Sequence, residues 1–408
     1  MIKTEFFETA VKLGYYGPEK GGLYGKKDNA RKYWEDVSIK SLLKPIITEI
    51  QQRKNKIRIT DFGCGSGEGF ELITHILPTQ NLTKNEFLLN PKQVETYLGL
   101  DISEAMIDMG KSIYIKNKNM KFIQADLSKD YPFLKENAFD IYLSTYSSPS
   151  HLTEKELKNL VYNVFNHTAD KAYLVLDLFG KFSPEWPCYW ENNDDKMLQY
   201  NMGWLNLPEK TNSTEVESYY VKFWDSKSLT ELLNDTAKNL NKKINIIFRD
   251  RSILIGRHID TGYYNKKPQP LRYQVNRLFD MDYESKLEEL QPDFSFLEPY
   301  KEKYPEVLNR INTIADKWKI VVSFCLALNE TNNKLIKELI ESTTGELAED
   351  LKMLAWLYRN SQRFPVDHFW ANIMGPQVAC VLRNLEINLP DGLGCGHGLC
   401  CIVEISDD

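Results

Sequence analysis

Short apolar runs bounded by polar residues recur along the first half of the chain, at 57–62, 96–102, 120–127, 139–144 and 172–178. Runs of this length, rich in Ile, Leu, Val and Phe, are typical of strands buried on both faces of a parallel sheet. A stretch with helical periodicity follows each run. The pattern therefore predicts an α/β fold with a doubly wound sheet, whose ligand crevice lies at the carboxyl ends of the strands.

The pattern changes after the fifth run. Asp225 precedes an amphipathic helix as its predicted cap, and two apolar segments, 244–248 and 253–257, predict an antiparallel hairpin that closes the sheet. From residue 260 onward the chain is predicted to be mainly helical. It ends in a glycine-rich turn and an apolar strand at 400–405.

The first predicted strand runs into a loop with glycine at alternate positions, Asp61-Phe62-Gly63-Cys64-Gly65-Ser66-Gly67-Glu68-Gly69. Alternating glycines let the backbone turn sharply and let a ligand approach the main chain. A dinucleotide fingerprint requires G-x-G-x-x-G, but the third position holds Glu68 or Phe70, depending on where the count starts. The loop instead resembles the first motif of the class I S-adenosylmethionine-dependent methyltransferases.

The resemblance extends over about residues 56 to 260 and implies a Rossmann-like sheet of seven strands with S-adenosylmethionine as the cofactor. It implies that Asp101, at the end of the second strand, binds the ribose hydroxyls and that Asp126, after the third, accepts from the adenine amino group. The polar stretch 78–86 is then an inserted surface loop. Taken one by one, these carboxylates also fit ordinary helix caps. The implied cofactor-binding residues are Asp61, Gly63, Cys64, Gly65, Gly67, Asp101, Ile102, Asp126, Leu127 and Ser144.

Acceptor chemistry is expected after the fourth strand, where the sequence runs from Ser144 to His151. Methyltransferases that act on base amino groups usually carry an Asp/Asn-Pro-Pro-aromatic quartet here, which this chain lacks. His151 is a candidate general base, because an unperturbed imidazole titrates near neutral pH. The alternative is a histidine that merely precedes the helix capped by Thr153. His397, in the glycine-rich turn near the carboxyl terminus, is a second candidate base.

Aromatic residues are concentrated in the segment 181–218 after the fifth strand, interleaved with acidic residues. This composition favours a lid with an apolar face over the acceptor and an acidic rim suited to a cationic substrate. The alternatives are a segment that packs on its own core and acids that are merely solvated. The predicted substrate contacts are Tyr146, Trp186, Tyr189, Trp190 and Trp204.

Length and composition limit the class of protein. The 408 residues exceed a minimal methyltransferase fold, which predicts a helical cap at 1–55, the sheet domain at 56–260 with its lid at 181–218, and a helical extension at 261–408. The helical cap at 1–55 either folds over the cofactor or packs on the sheet. Seven scattered cysteines and the lack of a signal or membrane segment favour a cytoplasmic protein with reduced thiols.

A net charge of −6 without a basic block disfavours nucleic acid as a partner, and a homodimer is left open. The Cys395 to Cys401 run is not spaced as a closed zinc site, so no metal is expected. We therefore expect methyl transfer to a small metabolite, an amino-acid-like or aromatic natural-product precursor. The alternatives are a protein side-chain methyltransferase and an inactive cofactor-binding regulatory or scaffold protein.

Overall fold

The computed structural model describes residues 28–78, 86–191, 196–201, 218–260, 264, 270–282 and 285–407. The first helix, α1, follows a π-helical turn at Arg31–Glu35. The elements of the sheet region are α1 Asp36–Arg53, β1 Ile57–Phe62, α2 Glu68–Thr74, β2 Val94–Asp101, α3 Glu104–Ile113, β3 Met120–Gln124, β4 Ile141–Ser144, α4 Glu154–His167, β5 Ala172–Phe179, β6 Leu198–Asn201, β7 Ser218–Val221, α5 Ser226–Asn239 and β8 Lys242–Arg251. The extension comprises α6 Leu271–Arg277, α7 Pro305–Asn329, α8 Asn333–Ser342, α9 Glu346–Arg359, α10 Gly375–Ile387 and the strand β9 Gly398–Asp407.

The main sheet has seven strands in the order β3-β2-β1-β4-β5-β9-β8, which confirms the predicted doubly wound architecture. The first five strands are parallel, whereas β9 is antiparallel to both of its neighbours. The order reverses between β1 and β4, so the crevice of the sheet opens at the carboxyl ends of these two strands. Strands β6 and β7 form a separate two-stranded sheet.

The predicted hairpin is wrong, because residues 253–257 do not form a strand. The carboxylate of Glu386, on α10, accepts backbone N–H groups from Ser252, Ile253 and Leu254 at 3.2, 2.8 and 3.2 Å. These donors are therefore unavailable for a strand ladder. The place beside β8 is taken by β9, which pairs with β8 over ten residues from Lys242 to Arg251.

Hydrophobic cores lie on both faces of the sheet, and a third lies between the extension, the π-helical region before α1 and the segment after β5. Cys400 and Cys401 illustrate the alternation of β9, because their side chains join the cores on opposite faces. Trp34 belongs to the third core, and its indole N–H donates to Glu386 at 2.8 Å. The unit boundaries at residues 55 and 260 remain a prediction, although the sheet takes β9 from beyond the second one.

Three helices begin at side-chain caps, and two of these caps, Thr153 and Asp225, are predicted from the sequence. Ser103 accepts from the Met106 N–H, Thr153 forms a capping box with Glu156, and Asp225 accepts from the Ser228 N–H. Each cap satisfies a donor of the first helical turn and thereby fixes where the chain leaves its strand. Among the described residues, no helix combines the length and the apolar surface that a membrane crossing requires.

Candidate functional site

A cavity lies at the carboxyl ends of β1, β2 and β4, where the strand order reverses. It encloses about 1300 Å³, counting the solvent at its mouth. Nine of the residues selected from the sequence line it, namely Asp61, Gly63, Cys64, Gly65, Asp101, Ile102, Leu127, Ser144 and Tyr146, together with the candidate base His151. The strands therefore bring together residues that are spread over almost a hundred positions of sequence.

The glycine loop and the end of β2 are held together by one carboxylate. Asp101 accepts the backbone N–H of Gly65 at 2.9 Å through one oxygen and that of Ser103 at 2.9 Å through the other. Burial raises the pKa of Asp101, while these backbone hydrogen bonds oppose the shift. Each carboxylate oxygen keeps a lone pair for a further donor, which is what two ribose hydroxyls require.

A second carboxylate in the loop is incompletely satisfied. Asp61 is buried, and its Oδ2 accepts the Tyr97 hydroxyl at 2.5 Å, but its Oδ1 has no hydrogen-bond partner. Burial raises the pKa of Asp61 to about 7, and the hydrogen bond from Tyr97 opposes that shift. A buried oxygen without a donor costs free energy unless a ligand supplies one.

The residues present fit the cofactor that the resemblance implies. The unsatisfied Oδ1 of Asp61 suits an ammonium group, and Asp101 suits a diol. Gly65 has a φ of +54°, and a Cβ atom built on it would meet nothing within 4 Å, so open space lies against its backbone. A ligand can therefore lie directly against the loop, as the alternating glycines predict.

Two predicted cofactor-binding residues, Gly67 and Asp126, are not among the residues that line the cavity. Gly67 has a φ of +99° and begins α2, where its backbone packs against Tyr114 and Phe122. Asp126 accepts from the Ser128 N–H at 3.1 Å and from its hydroxyl at 2.6 Å, so its side chain stabilises a turn. Its neighbour Leu127 lines the cavity, and the adenine contact of Asp126 stays a prediction.

The turn after β4 places Tyr146 against the cavity. Tyr146 and Ser147 both have left-handed backbone, with φ values of 58° and 65°, which is strained for residues other than glycine. The Tyr146 N–H donates to Asp177 at 2.8 Å, and its hydroxyl donates to Asp36. Asp177 is in turn paired with Arg251 at 2.8 Å. This network holds the strained turn in place.

A group of arginines surrounds one fully buried carboxylate, Glu35. Arg257, Arg272, Arg251 and Arg31 lie at 2.9, 3.0, 3.3 and 3.7 Å from its oxygens. Their charges overcome the opposing effect of burial and hold the pKa of Glu35 well below its usual range. Arg31 and Arg257 line the cavity, although no sequence motif indicates either of them.

His151 lines the cavity beside the ring of Tyr219, with the two ring centroids 4.6 Å apart. Desolvation lowers the pKa of His151 to about 4. The imidazole is therefore neutral near pH 7 and able to accept a proton. The expectation of an ordinary histidine pKa, near neutral pH, needs correction because of the apolar surroundings.

Of the aromatic residues predicted to contact the substrate, Tyr146 lines the cavity, whereas the described tryptophans and Tyr189 do not. Trp186 and Trp190 are fully buried, and their indole N–H groups donate to the carbonyls of Gly180 and Ser183 at 2.8 and 2.9 Å. Tyr189 donates to the Gln199 carbonyl at 3.1 Å. None of the three is among the described cavity residues, and Trp204 lies outside the described residues. Phe179, Tyr200 and Tyr219 line the cavity together with Tyr146 and Phe62.

His397 lies behind this wall. Its Nδ1 is 2.7 Å from Glu185 Oε1, both side chains are buried, and its ring packs edge-on against Phe179. Burial raises the pKa of Glu185 to about 8 and lowers that of His397 well below its usual value, so both are neutral near pH 7. His397 is not among the cavity residues, and its role as a base remains a prediction. Glu185 lies in the segment 181–218, whose acidic residues were expected to form a rim, but it is buried and so does not belong to that rim.

Comparison with known proteins gives one family match. Residues 59–171 match a family model described as a methyltransferase domain. No curated protein sequence matches the chain.

Several solved structures have a similar fold. An S-adenosylmethionine-dependent methyltransferase from Clostridium acetobutylicum is 15% identical, with a TM-score of 0.34 over 54% of this chain and 83% of that one. A second, from Methanosarcina mazei, is 19% identical, with a TM-score of 0.35 over 49% and 85%. Phosphoethanolamine N-methyltransferase 1 from Haemonchus contortus is 11% identical, with a TM-score of 0.30 over 47% and 35%.

Proposed function

We propose that the chain is a class I S-adenosylmethionine-dependent methyltransferase that methylates a small metabolite, a proposal supported by the match of residues 59–171 to a methyltransferase domain. The observation that carries the proposal is the continuity of one cavity. The same space is lined by Gly65 and Asp101 on the cofactor side and by His151, Phe179 and Tyr200 on the other side. A methyl donor and a small acceptor can meet within it.

The residues on the cofactor side have hydrogen-bonding groups that match those of the cofactor. When bound, the cofactor supplies a methyl group on a positively charged sulfur, which is its own activating group. Asp101 would accept from the ribose hydroxyls, and the unsatisfied oxygen of Asp61 would accept from the ammonium group. The Gly65 backbone would lie against the ligand without steric hindrance.

On the acceptor side, the protein contributes alignment and exclusion of water. Phe179 and Tyr200 are 4% and 1% exposed, so the wall that they form is rigid and largely dry. Holding the reacting atoms in line contributes more to methyl transfer than acid or base catalysis when the nucleophile is already reactive. These buried rings favour a compact acceptor over a side chain that must enter with its polypeptide backbone.

His151 is the proposed general base for an acceptor that must lose a proton. Its low pKa keeps the imidazole neutral at neutral pH, so one ring nitrogen can accept a proton without first losing one. The low pKa also makes it a weak base. It can therefore deprotonate an acceptor whose proton becomes more acidic as the methyl group is transferred.

The experiment is label transfer from methyl-labelled cofactor, using the whole chain with a metabolite extract and, separately, a protein extract. Label in a small, protease-resistant compound supports the proposal. Label in protein would make the protein side-chain alternative correct. Binding of S-adenosylhomocysteine without any transfer would favour the regulatory or scaffold alternative, and the Asp101→Ala variant is the control for specific cofactor binding.

A further inference from the structure

A small β-ribbon covers the acceptor side of the cavity. Its strands, β6 and β7, pair in antiparallel register and form a sheet separate from the main one. Tyr200 lies directly opposite Tyr219 in this register, so both side chains are on the same face of the ribbon. Both residues line the cavity, which makes this face the one that an acceptor meets.

The ring of Tyr200 is packed among other rings. Its centroid lies 4.5 Å from that of Phe179 and 5.4 Å from that of Tyr219, and both pairs are stacked. His258 and Trp186 pack against it edge to face, at 4.9 and 6.3 Å. With its ring held in this way, Tyr200 offers an acceptor its hydroxyl group rather than a free ring face.

The Tyr200 hydroxyl is buried and unpaired. The residue is 1% exposed, and its hydroxyl oxygen has no hydrogen-bond partner in the described part of the chain. Such a group is costly, whereas phenylalanine would fill the same space without that cost. Burial also raises the pKa of Tyr200 well above its usual value, so the hydroxyl keeps its proton at neutral pH and can donate it to a hydrogen bond. A ligand that accepts this bond explains why the position holds tyrosine.

Formal charges on this side of the cavity are balanced or absent. Burial lowers the pKa of His151 to about 4, so its ring is neutral near pH 7. Arg257 also lines the cavity, but it is paired with the buried carboxylate of Glu35 at 2.9 Å. Where the structure describes the chain, the carboxylates that line the cavity belong to β1, α2 and β2, on the cofactor side. An uncharged group on the acceptor is therefore the suitable partner for Tyr200.

The ring of Tyr219 adjoins both polar groups of the acceptor side. Its centroid is 4.6 Å from that of His151 and 5.4 Å from that of Tyr200. A flat acceptor can pack on this ring through offset or edge-on contact. Its reacting group would then lie at His151, with the Tyr200 hydroxyl within reach of another part of the same molecule.

We infer that Tyr200 determines the specificity for the acceptor, by donating a hydrogen bond to an uncharged oxygen of a planar molecule whose reacting group lies at His151. This inference rests on the proposed function and adds the chemical class of the acceptor. The acceptor is an aromatic or conjugated compound that carries a carbonyl or hydroxyl oxygen in addition to the group that is methylated. A molecule of the same shape without that oxygen leaves the buried hydroxyl unpaired and binds more weakly.

The test uses pairs of phenols that match in shape and differ in one oxygen. The probes are 3- and 4-hydroxyacetophenone and, as their partners, 3- and 4-isopropenylphenol, in which a CH₂ group replaces the carbonyl oxygen. Each is titrated by calorimetry or ligand-observed NMR into the whole protein saturated with S-adenosylhomocysteine. We expect at least one hydroxyacetophenone to bind about five- to fiftyfold more tightly than its isopropenyl partner, because only the ketone satisfies the buried donor.

Tyr200→Phe is the variant that locates this preference. It should remove the advantage of the ketone and leave the affinity for the isopropenylphenol nearly unchanged, a pattern that general damage to the pocket would not give. Because the hydroxyl is unpaired in the free protein, Tyr200→Phe should unfold at the same or a higher temperature. Tyr142→Phe is the matched control and should keep the advantage of the ketone, because its hydroxyl lies 2.8 Å from His167 Nδ1 and Tyr142 is not a cavity residue.

The outcomes separate this inference from the proposed function. Equal binding within both pairs, an advantage that persists in Tyr200→Phe, or no probe binding to protein that binds S-adenosylhomocysteine would overturn the role of Tyr200 and leave methyl transfer standing. A lower unfolding temperature of Tyr200→Phe would show that the hydroxyl is already paired within the protein, and would overturn it as well. Failure to bind S-adenosylhomocysteine would instead overturn the proposed function.

Discussion

The Tyr97 hydroxyl donates to one carboxylate oxygen of Asp61 at 2.5 Å, and the other oxygen of that carboxylate is buried without a partner. The bond orients Asp61 and favours its ionised form, against burial that favours the neutral acid. The resulting pKa of about 7 places the ionisation of Asp61 in the range where enzymes are commonly assayed.

Cofactor affinity should therefore increase with pH. Binding an ammonium group requires the ionised carboxylate, so below pH 7 binding must first release a proton from Asp61. We expect the affinity for S-adenosylhomocysteine to fall up to tenfold per pH unit below about 7 and to level off above it. Calorimetry from pH 5.5 to 8.5 measures this. Asp61→Asn should flatten the profile, and Tyr97→Phe should move its midpoint to higher pH. A flat wild-type profile would contradict the role of Asp61.

Asp101→Ala should weaken cofactor binding by about 2 to 4 kcal/mol, or roughly thirty- to a thousandfold, through loss of a charged acceptor. Part of this loss comes from the loop, because Asp101 also holds the Gly65 N–H. Asp101→Asn keeps one acceptor oxygen and should lose less.

Asp126→Ala is the comparison for Asp101→Ala. Its carboxylate bonds Ser128 in a turn, so we expect a change in affinity of less than about fivefold, or about 1 kcal/mol. Equal losses at Asp101 and Asp126 would show that Asp126 also binds the cofactor.

His151→Ala should lower turnover by about a hundredfold if the imidazole accepts the acceptor's proton, with cofactor affinity little changed. Because the pKa of His151 is about 4, wild-type turnover should show no inflection from this group between pH 6 and 8. Steady-state rates across that range measure both effects. His397→Gln should leave the shape of the profile unchanged, since His397 lies behind Phe179. A fall of less than fivefold in His151→Ala would leave positioning as the whole mechanism.

Trp190→Ala should act on stability, because this side chain is fully buried in the core shared with the extension. Removing a buried tryptophan typically costs about 3 to 5 kcal/mol. Denaturant unfolding should detect this loss, while the acceptor Michaelis constant of the folded fraction changes little. A large rise in that constant with unchanged stability would restore Trp190 to the substrate pocket.

The cofactor side could be predicted from sequence because its signals are local. Asp61, Gly65 and Asp101 each stand where an apolar strand ends, and parallel strands bring such ends together at one edge of a sheet. The caps at Ser103 and Thr153 were equally readable, since each is a hydroxyl residue directly before a helical pattern.

The residues on the acceptor side of the cavity are brought together by long-range packing, which no local sequence pattern reveals. Arg31 and Arg257 both lie beside Glu35, and no local pattern relates the three positions. The failed hairpin has the same cause, since Glu386 binds the N–H groups of a segment more than a hundred residues earlier. Tyr200 belonged to the aromatic run noted in the sequence, but nothing in that run distinguished the cavity wall from the core.

The position of β9 between β5 and β8 affects how the protein can be made. A ribosome delivers β5 and β8 well before β9, and both must wait, with unpaired edges, until the helical extension has been synthesised. Exposed strand edges are sites of aggregation, and late pairing between distant segments is slow. A fragment that ends at residue 260 would lack β9 and leave β5 and β8 unpaired. We therefore expect such a fragment to aggregate and not to form a smaller active enzyme.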